Sequence, residues 1–413
     1  MADISLVAVG TVGDLAPIAD IAMELQDRGH NVRLASNNDI SPTLLPSVDF
    51  LRLRPTMASV MSTAAGRRIV TGNRFVTRPL AVAAVARKHY TELAEQIFDF
   101  CSGAQIIVHT GMSAGAVQAS IVNNSPAIRT YLRPAWKSQE QATLLAFGRK
   151  RHPFIAGLSH SVLERGASVV LGREIRQFEV RLNLKSAHRR ARVIDTQLDF
   201  PWPSIFAVPS LLANDAMRSD SRAKCVGFIR GDRFWNQFPP PDDVLNWIAR
   251  ARRTRSVALV SLSDYGTGAL RGRFNAVVQT LLHSEFAVIT SLATSINDPT
   301  NESVWKFENP VNHEQILPMV DLFVHNGGVG SCISSLRSGV ASVAFPLWFD
   351  QPYWADVASQ YGESTTVRNM NDLKSLLQGI RSSKSRTMKS PANGIQLRDG
   401  SIEAADTVES LLS

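Results

Sequence analysis

Val320-Asp-Leu-Phe-Val-His-Asn-Gly-Gly-Val-Gly-Ser-Cys-Ile-Ser-Ser-Leu-Arg-Ser-Gly-Val-Ala-Ser-Val-Ala-Phe-Pro346, continued by Leu-Trp-Phe-Asp350-Gln351-Pro352, decides the fold class of this chain. The apolar run Leu322 to Val324 predicts a buried strand. Gly327, Gly328 and Gly330 follow in a loop that lets backbone approach a ligand. A helix is expected from about Ser331 to Arg337 with Gly339 as its stop, and a second apolar strand, Ser342 to Phe345, completes a βαβ unit. In such a unit the free N–H groups of loop and helix start lie beyond the carboxyl end of the strand. They favour an anion, with a phosphate or diphosphate as the natural guest.

The start of the chain repeats the pattern. Ile4 to Val9 reads as a strand, Gly10-Thr-Val-Gly-Asp14 as a tight loop, Pro17 to Arg28 as a helix, and His30 to Ala35 as a second strand. A dinucleotide-binding dehydrogenase would open similarly. However, Gly10-x-x-Gly13 is not G-x-G-x-x-G, and Ala35-Ser36 ends the second strand where a ribose-binding carboxylate is required. Further strands are expected at Gln105 to His109, Ser204 to Val208, Val257 to Leu262, Phe286 to Ser291 and Trp305 to Phe307. Helices are expected at about Pro79 to Phe98, His313 to Pro318 and Ser401 to Leu412, and residues 133–195 read as helical and arginine-rich.

A length of 413 residues exceeds one ordinary core, so two domains are expected. They divide as 1–215, a linker at 216–240 that runs into Pro239-Pro-Pro241, and 241–413, the last helix being a candidate to pack back on the first domain. Hydrophobic residues make up 44% and charged residues 19%, which excludes wholesale disorder. The net charge is +8, and Leu51 to Thr91 holds Arg52, Arg54, Arg67, Arg68, Arg74, Arg78, Arg87 and Lys88 with no Asp or Glu. That stretch is either a solvated face or a surface that collects an anionic or membrane-borne substrate. Cys101, Cys225 and Cys332 are odd in number and far apart, which points to a reducing compartment. With no membrane-length apolar run and no basic leader, a cytoplasmic protein is expected, with attachment to a membrane surface left open. No zinc spacing and no G-x-x-x-x-G-K-[ST] loop occurs.

Gly10-Thr-Val-Gly-Asp-Leu-Ala-Pro17, backed by Leu25-Gln-Asp-Arg-Gly-His-Asn-Val32, resembles the N-terminal signature of family 1 nucleotide-sugar glycosyltransferases, especially microbial natural-product and sterol glycosyltransferases. Pro310-Val-Asn-His-Glu-Gln-Ile-Leu-Pro-Met-Val-Asp321, His325-Asn-Gly-Gly-Val-Gly-Ser331 and Asp350-Gln-Pro352 look like that family's donor-binding motif in order and spacing. The resemblance implies an α/β protein of GT-B architecture, two facing Rossmann-like domains with the active site in the cleft. It further implies inverting transfer from a UDP- or dTDP-sugar to a small-molecule or lipid acceptor, no obligatory metal or other cofactor, and no nucleic-acid partner. Natural-product or antibiotic biosynthesis is the setting it suggests.

The chemistry assigns roles. His325, Asn326, the amides of Gly327, Gly328 and Gly330, Ser331 and Ser263 are candidates to hold the diphosphate. Asp350 and Gln351 have groups suited to sugar hydroxyls, although an Asp-Gln-Pro turn can also be a simple helix cap. By resemblance, backbone at Val311 meets the nucleobase. The attacking hydroxyl needs a base, for which Asp14 is the candidate, in the loop of Gly10, Thr11, Val12 and Gly13, with His109 as second base or orienting partner. Asp14 could equally cap the first helix. Two departures from the family pattern stand out: Ser263-Asp264 where Gly-Ser is usual, and Val12 where many relatives have Arg. A non-catalytic partner protein of this fold and a nucleotide-sugar epimerase remain alternatives.

Overall fold

The computed structural model describes residues 1–40, 48–72, 76–111, 113, 115–139, 153–184, 201–263, 268–290, 302–307, 309–347, 349–382 and 398–412. The chain forms two units, Met1–Phe234 together with Gln396–Ser413, and Trp235–Ile395. The first carries strands β1 (Asp3–Ala8), β2 (Asn31–Ser36), β3 (Asp49–Arg52), β4 (Ile106–Thr110), β5 (Ala127–Tyr131), β6 (Ser204–Phe206) and β7 (Ala223–Cys225), ordered β3-β2-β1-β4-β5-β6-β7. The second carries β8 (Ser256–Ser261), β9 (Phe286–Thr290), β10 (Val304–Lys306), β11 (Leu322–His325), β12 (Ser342–Ala344) and β13 (Ser364–Thr366), ordered β10-β9-β8-β11-β12-β13. Every pairing among these strands is parallel. Both sheets therefore have the doubly wound order, which reverses at β1/β4 in the first and at β8/β11 in the second.

The second unit shows why its strands read as continuous apolar runs. Val257 and Leu259 of β8 pack with Trp247, Ile316 and Phe323 on one side, while Ala258 and Val260 pack with Phe274, Val278 and Val324 on the other. A sheet covered by helices on both faces needs apolar side chains at every position, not at alternate ones.

Several boundaries differ from the sequence expectation. The first helix is Val12–Asp27, not Pro17 to Arg28, because Thr11 and Asp14 close a capping box that starts it a turn and more earlier. Pro17 is tolerated inside, where the carbonyl it cannot bond belongs to Gly13, an exposed residue. The helix after β11 is Val329–Ser338, ended by Gly339 at φ 63°. His313 to Pro318 is two short 3-10 turns, His313–Gln315 and Leu317–Met319.

The two units meet in sequence at Phe234 and Trp235. Residues 216–240 are not a bare linker, since β7 completes the first sheet and Asp20 of the first helix accepts the amides of Phe234 (2.9 Å) and Arg233 (3.3 Å). The last helix, Ser401–Glu409, belongs to the first unit, the one on which the sequence made it a candidate to pack. Arg28 fixes it through Nη1 to Asp406 (2.7 Å) and Glu409 (2.6 Å), His30 Nε2 lies 2.9 Å from Glu409, and the Gly400 amide donates to Phe228 O. No helix among the described residues is long and apolar enough to cross a membrane.

Candidate functional site

Ligands of doubly wound sheets bind beyond the carboxyl ends of the strands at the order reversal. In the second unit that point is where β8 and β11 end side by side, His325 in register with Ser261. Asn326 spans the two strand ends, its Nδ2 donating to Ser263 O at 2.7 Å, while its buried Oδ1 has no hydrogen-bond partner among the described residues. Ser263 is exposed; Asp264 lies outside the described residues.

His325 is fully buried and stacks on Phe323, ring centroids 4.7 Å apart. The Gly327 amide donates to its Nδ1 at 3.0 Å. That bond assigns the tautomer: Nδ1 accepts, so Nε2 carries the proton, and no described group accepts it. Burial, aided by neighbouring His313, lowers the His325 pKa to about 3. The ring is a neutral N–H donor, not the cation that a charge-neutralising role would require.

The helix Val329–Ser338 starts at Gly328 with no side-chain cap, and its first intrahelical bond is Cys332 N to Gly328 O. The amides of Val329, Gly330 and Ser331 precede that bond and have no helical acceptor. Of the three glycines, Gly327 alone is demanded by the fold: its φ is +76°, and a Cβ there would lie 3.1 Å from Gln351 O. A Cβ on Gly328 or Gly330 meets no described atom within 4 Å. Backbone there is open to an approaching group, with the helix-start amides as donors and the helix dipole favouring an anion.

Gln351 is buried, with Oε1 accepting the Leu347 amide at 2.7 Å, so its carbonyl is spent on the turn. Asp350 is half-buried and stands at the start of the helix Gln351–Tyr361, yet its side chain does not cap it. Oδ2 instead accepts the Trp354 indole N–H at 3.0 Å. Val311 is buried among Ile316, Leu317 and Phe323, which leaves only its backbone to serve a ligand. Ser331 is half-buried in the first helical turn.

In the first unit, the Gly10 amide donates to Asn37 Oδ1 at 2.9 Å, and Thr11 donates to Asp14 Oδ2 through its amide (2.7 Å) and hydroxyl (3.0 Å). Gly10 has φ +145°, and a Cβ there would collide with that same Oδ2. Capping thus describes what Asp14 does in the folded chain, and its half-exposed position leaves a catalytic role to be tested. Val12 and the exposed Gly13 begin the helix.

His109 lies beside Val7 in register, at the end of β4, and is buried. Its Nδ1–H donates to Thr110 O at 2.9 Å, so Nε2 is a buried lone pair without a described donor. Burial first, and the Arg129 charge second, lower its pKa to about 3. This environment argues against His109 as the base, and its hydrogen bonding does not orient Asp14. Arg129, which the sequence reading did not single out, lies beside His109. It is in register with His109 across β4 and β5, is buried, and its Nε and Nη1 have no hydrogen-bond partner among the described residues. A cation inside the short apolar run Ala127–Tyr131 was the available signal.

The basic segment is partly engaged in local structure. Arg52 donates to Ile40 O, Arg67 to Ser62 O and Arg78 to Val70 O, and Arg87 pairs with Glu174 at 3.3 Å. Arg68 and Lys88 are exposed, and Arg74 lies outside the described residues.

No family model matches the chain. It is 22% identical over 433 residues to an uncharacterised glycosyltransferase of Mycobacterium leprae, covering 97% of this chain and 94% of the relative. It is 19% identical over 394 residues to the sterol 3-beta-glucosyltransferase of Komagataella phaffii, covering 91% of this chain and 31% of the relative, so it spans less than a third of that protein's length. Among solved structures, the glycosyltransferase of kitacinnamycin superposes with TM-score 0.64 at 19% identity, covering 99% of each chain. A Streptomyces sp. SF2575 glycosyltransferase complexed with thymidine diphosphate superposes with TM-score 0.56 at 16% identity, covering 100% of this chain and 96% of that one. The chain has the GT-B fold of these glycosyltransferases, two Rossmann-like domains with parallel sheets, and its resemblance to their family stands on both sequence and structure.

Proposed function

We propose that the protein transfers a sugar, with inversion, from a UDP- or dTDP-sugar to a hydroxyl of a small-molecule or lipid acceptor. The observation that carries this is the donor array after β11: three helix-start amides, an orphan Nε2–H on His325 and two glycines that the folded chain does not itself require. That array suits the diphosphate, whose negative charge grows as the glycosyl bond breaks. The Asp350 carboxylate, held by Trp354, is the group offered to sugar hydroxyls, with Gln351 shaping the turn beneath it. Val311 meets the nucleobase through backbone. The thymidine diphosphate in the SF2575 neighbour supports a nucleotide-bound donor. Asp14 is our candidate base for the acceptor hydroxyl, and we carry forward the expectation that transfer needs no metal.

The test is a thermal-shift panel of nucleoside diphosphates and their sugars, followed by turnover with an acceptor library in the presence of a chelator and NMR assignment of the product anomer. A ligand bound only by the native state raises the melting temperature. If no nucleotide or nucleotide sugar shifts the folded protein, the reading fails. Binding without turnover would favour a non-catalytic partner, and interconversion of the free sugar nucleotide an epimerase.

A further inference from the structure

The helix Pro153–Arg181 is apolar on two opposite faces. On its inner face Leu171, Ile175 and Phe178 pack against Tyr90 and Ala94 of the helix Thr77–Cys101, and ion pairs Arg87–Glu174 and Arg181–Glu95 (2.7 Å) flank the contact. A surface helix packed this way should present polar side chains to water. Its outer face instead carries Phe154, Leu158, Val162, Val169 and Val180, each between 50% and 84% exposed.

Arg165, Arg173 and Arg176 are exposed among them. At about 100° per residue, these eight side chains fall within one arc of about 100°, opposite the packed face. Glu164 and Glu174 are half-buried and Glu179 is buried, so no acid is exposed among the described side chains of this helix.

We propose that this face docks on an anionic lipid surface. Arginine stems lie along the apolar side chains while their guanidinium groups rise to phosphate level, and the valines, leucine and phenylalanine enter the interface between headgroups and acyl chains. A second copy of the chain fits less well. Two-fold contact would gather six arginines of the two strips at one interface, with no exposed acid among the described side chains of the helix to receive them. The chain's net charge of +8 acts in the same direction.

Co-sedimentation of the full chain with vesicles tests this. Phosphatidylcholine vesicles containing a minor share of phosphatidylglycerol should bind it, pure phosphatidylcholine should bind it at least about tenfold more weakly, and high salt should release it. Arg165→Gln with Arg173→Gln and Arg176→Gln should cut binding roughly 100-fold, about fivefold per arginine. Phe154→Ser with Leu158→Ser should cut it about tenfold or more while circular dichroism and melting temperature stay unchanged, because both positions face water. The proposal is overturned if anionic vesicles fail to bind the wild type, or if neither variant weakens binding. It is equally overturned if Phe154→Ser with Leu158→Ser abolishes a concentration-dependent dimer, since a second copy would then be the occupant.

Discussion

The Gly327 amide donates to Nδ1 of His325, and that single bond fixes Nε2 as the end of the imidazole that carries the proton. Under the proposed function this Nε2–H serves a phosphate oxygen. A hydrogen bond to a charged group contributes about 1.5–3 kcal/mol, so His325→Ala should weaken nucleoside diphosphate binding roughly 10- to 100-fold by calorimetry. Because burial holds the ring neutral at every pH well above 3, wild-type affinity for a nucleoside diphosphate sugar, which unlike the bare diphosphate has no phosphate ionisation near neutral pH, should show no histidine titration near pH 6.5. Unchanged affinity in a folded His325→Ala protein would sink the contact, and a step in affinity near 6.5 would sink the neutral donor.

The three glycines of the loop should separate stability from binding. Gly327→Ala forces a Cβ into a positive-φ position against Gln351 O and should cost about 1–2 kcal/mol or more in stability. Gly328→Ala should leave the melting temperature unchanged and yet weaken diphosphate binding, because its Cβ would occupy space that no described atom fills. Normal binding by a folded Gly328→Ala protein would mean that the backbone there meets no ligand.

Asp14 has a capping role in the structure, and its proposed chemistry can be read against that background. Asn retains an oxygen for the Thr11 amide, so Asp14→Asn should cost only about 1 kcal/mol or less in stability. If the carboxylate is the base, turnover should fall roughly 10²- to 10⁴-fold with donor affinity little changed. Near-normal turnover by the Asn variant would reduce Asp14 to a cap.

Asp20 should make stability depend on pH. Burial, chiefly, raises its pKa to about 7, against the lowering effect of its bond from the Phe234 amide. The native state then binds more protons than the unfolded chain between about pH 4 and 7, so this group's contribution is greatest at low pH and is lost as pH rises through 7. Asp20→Asn should remove that slope, and the wild-type minus variant difference in unfolding free energy, measured from pH 5 to 8, isolates it. A difference flat across that range would show that the carboxyl titrates normally.

The glycine loop and its two flanking strands were legible because β11 is apolar from Leu322 to Val324 and the helix stop, Gly339, is a glycine at positive φ. The start of the first helix was legible in principle, since Thr11 and Asp14 have capping-box spacing, but Pro17 drew the boundary inward. Strands β3, β7 and β13 were not legible. Three or four residues long, they become strands only because a neighbour supplies the ladder, as β6 does for Ala223 to Cys225. The protonation of His109 and His325 was beyond the sequence altogether, because in each ring a backbone group several bonds away selects the tautomer. The outer face of Pro153–Arg181 was hidden for another reason: apolar residues on both sides cancel the periodicity that would have announced either.

The return of the C-terminal helix to Arg28 and His30 makes the gene order differ from the order of parts. Trp235–Ile395 is one uninterrupted segment, spliced into a unit whose own material lies both before and after it. A stop codon ahead of residue 396 would therefore injure the unit that was translated first and leave the later one whole. During synthesis the first sheet can assemble as soon as β7 has emerged, but Asp406 and Glu409, which hold Arg28 from the last helix, arrive only after the whole of Trp235–Ile395 has been made.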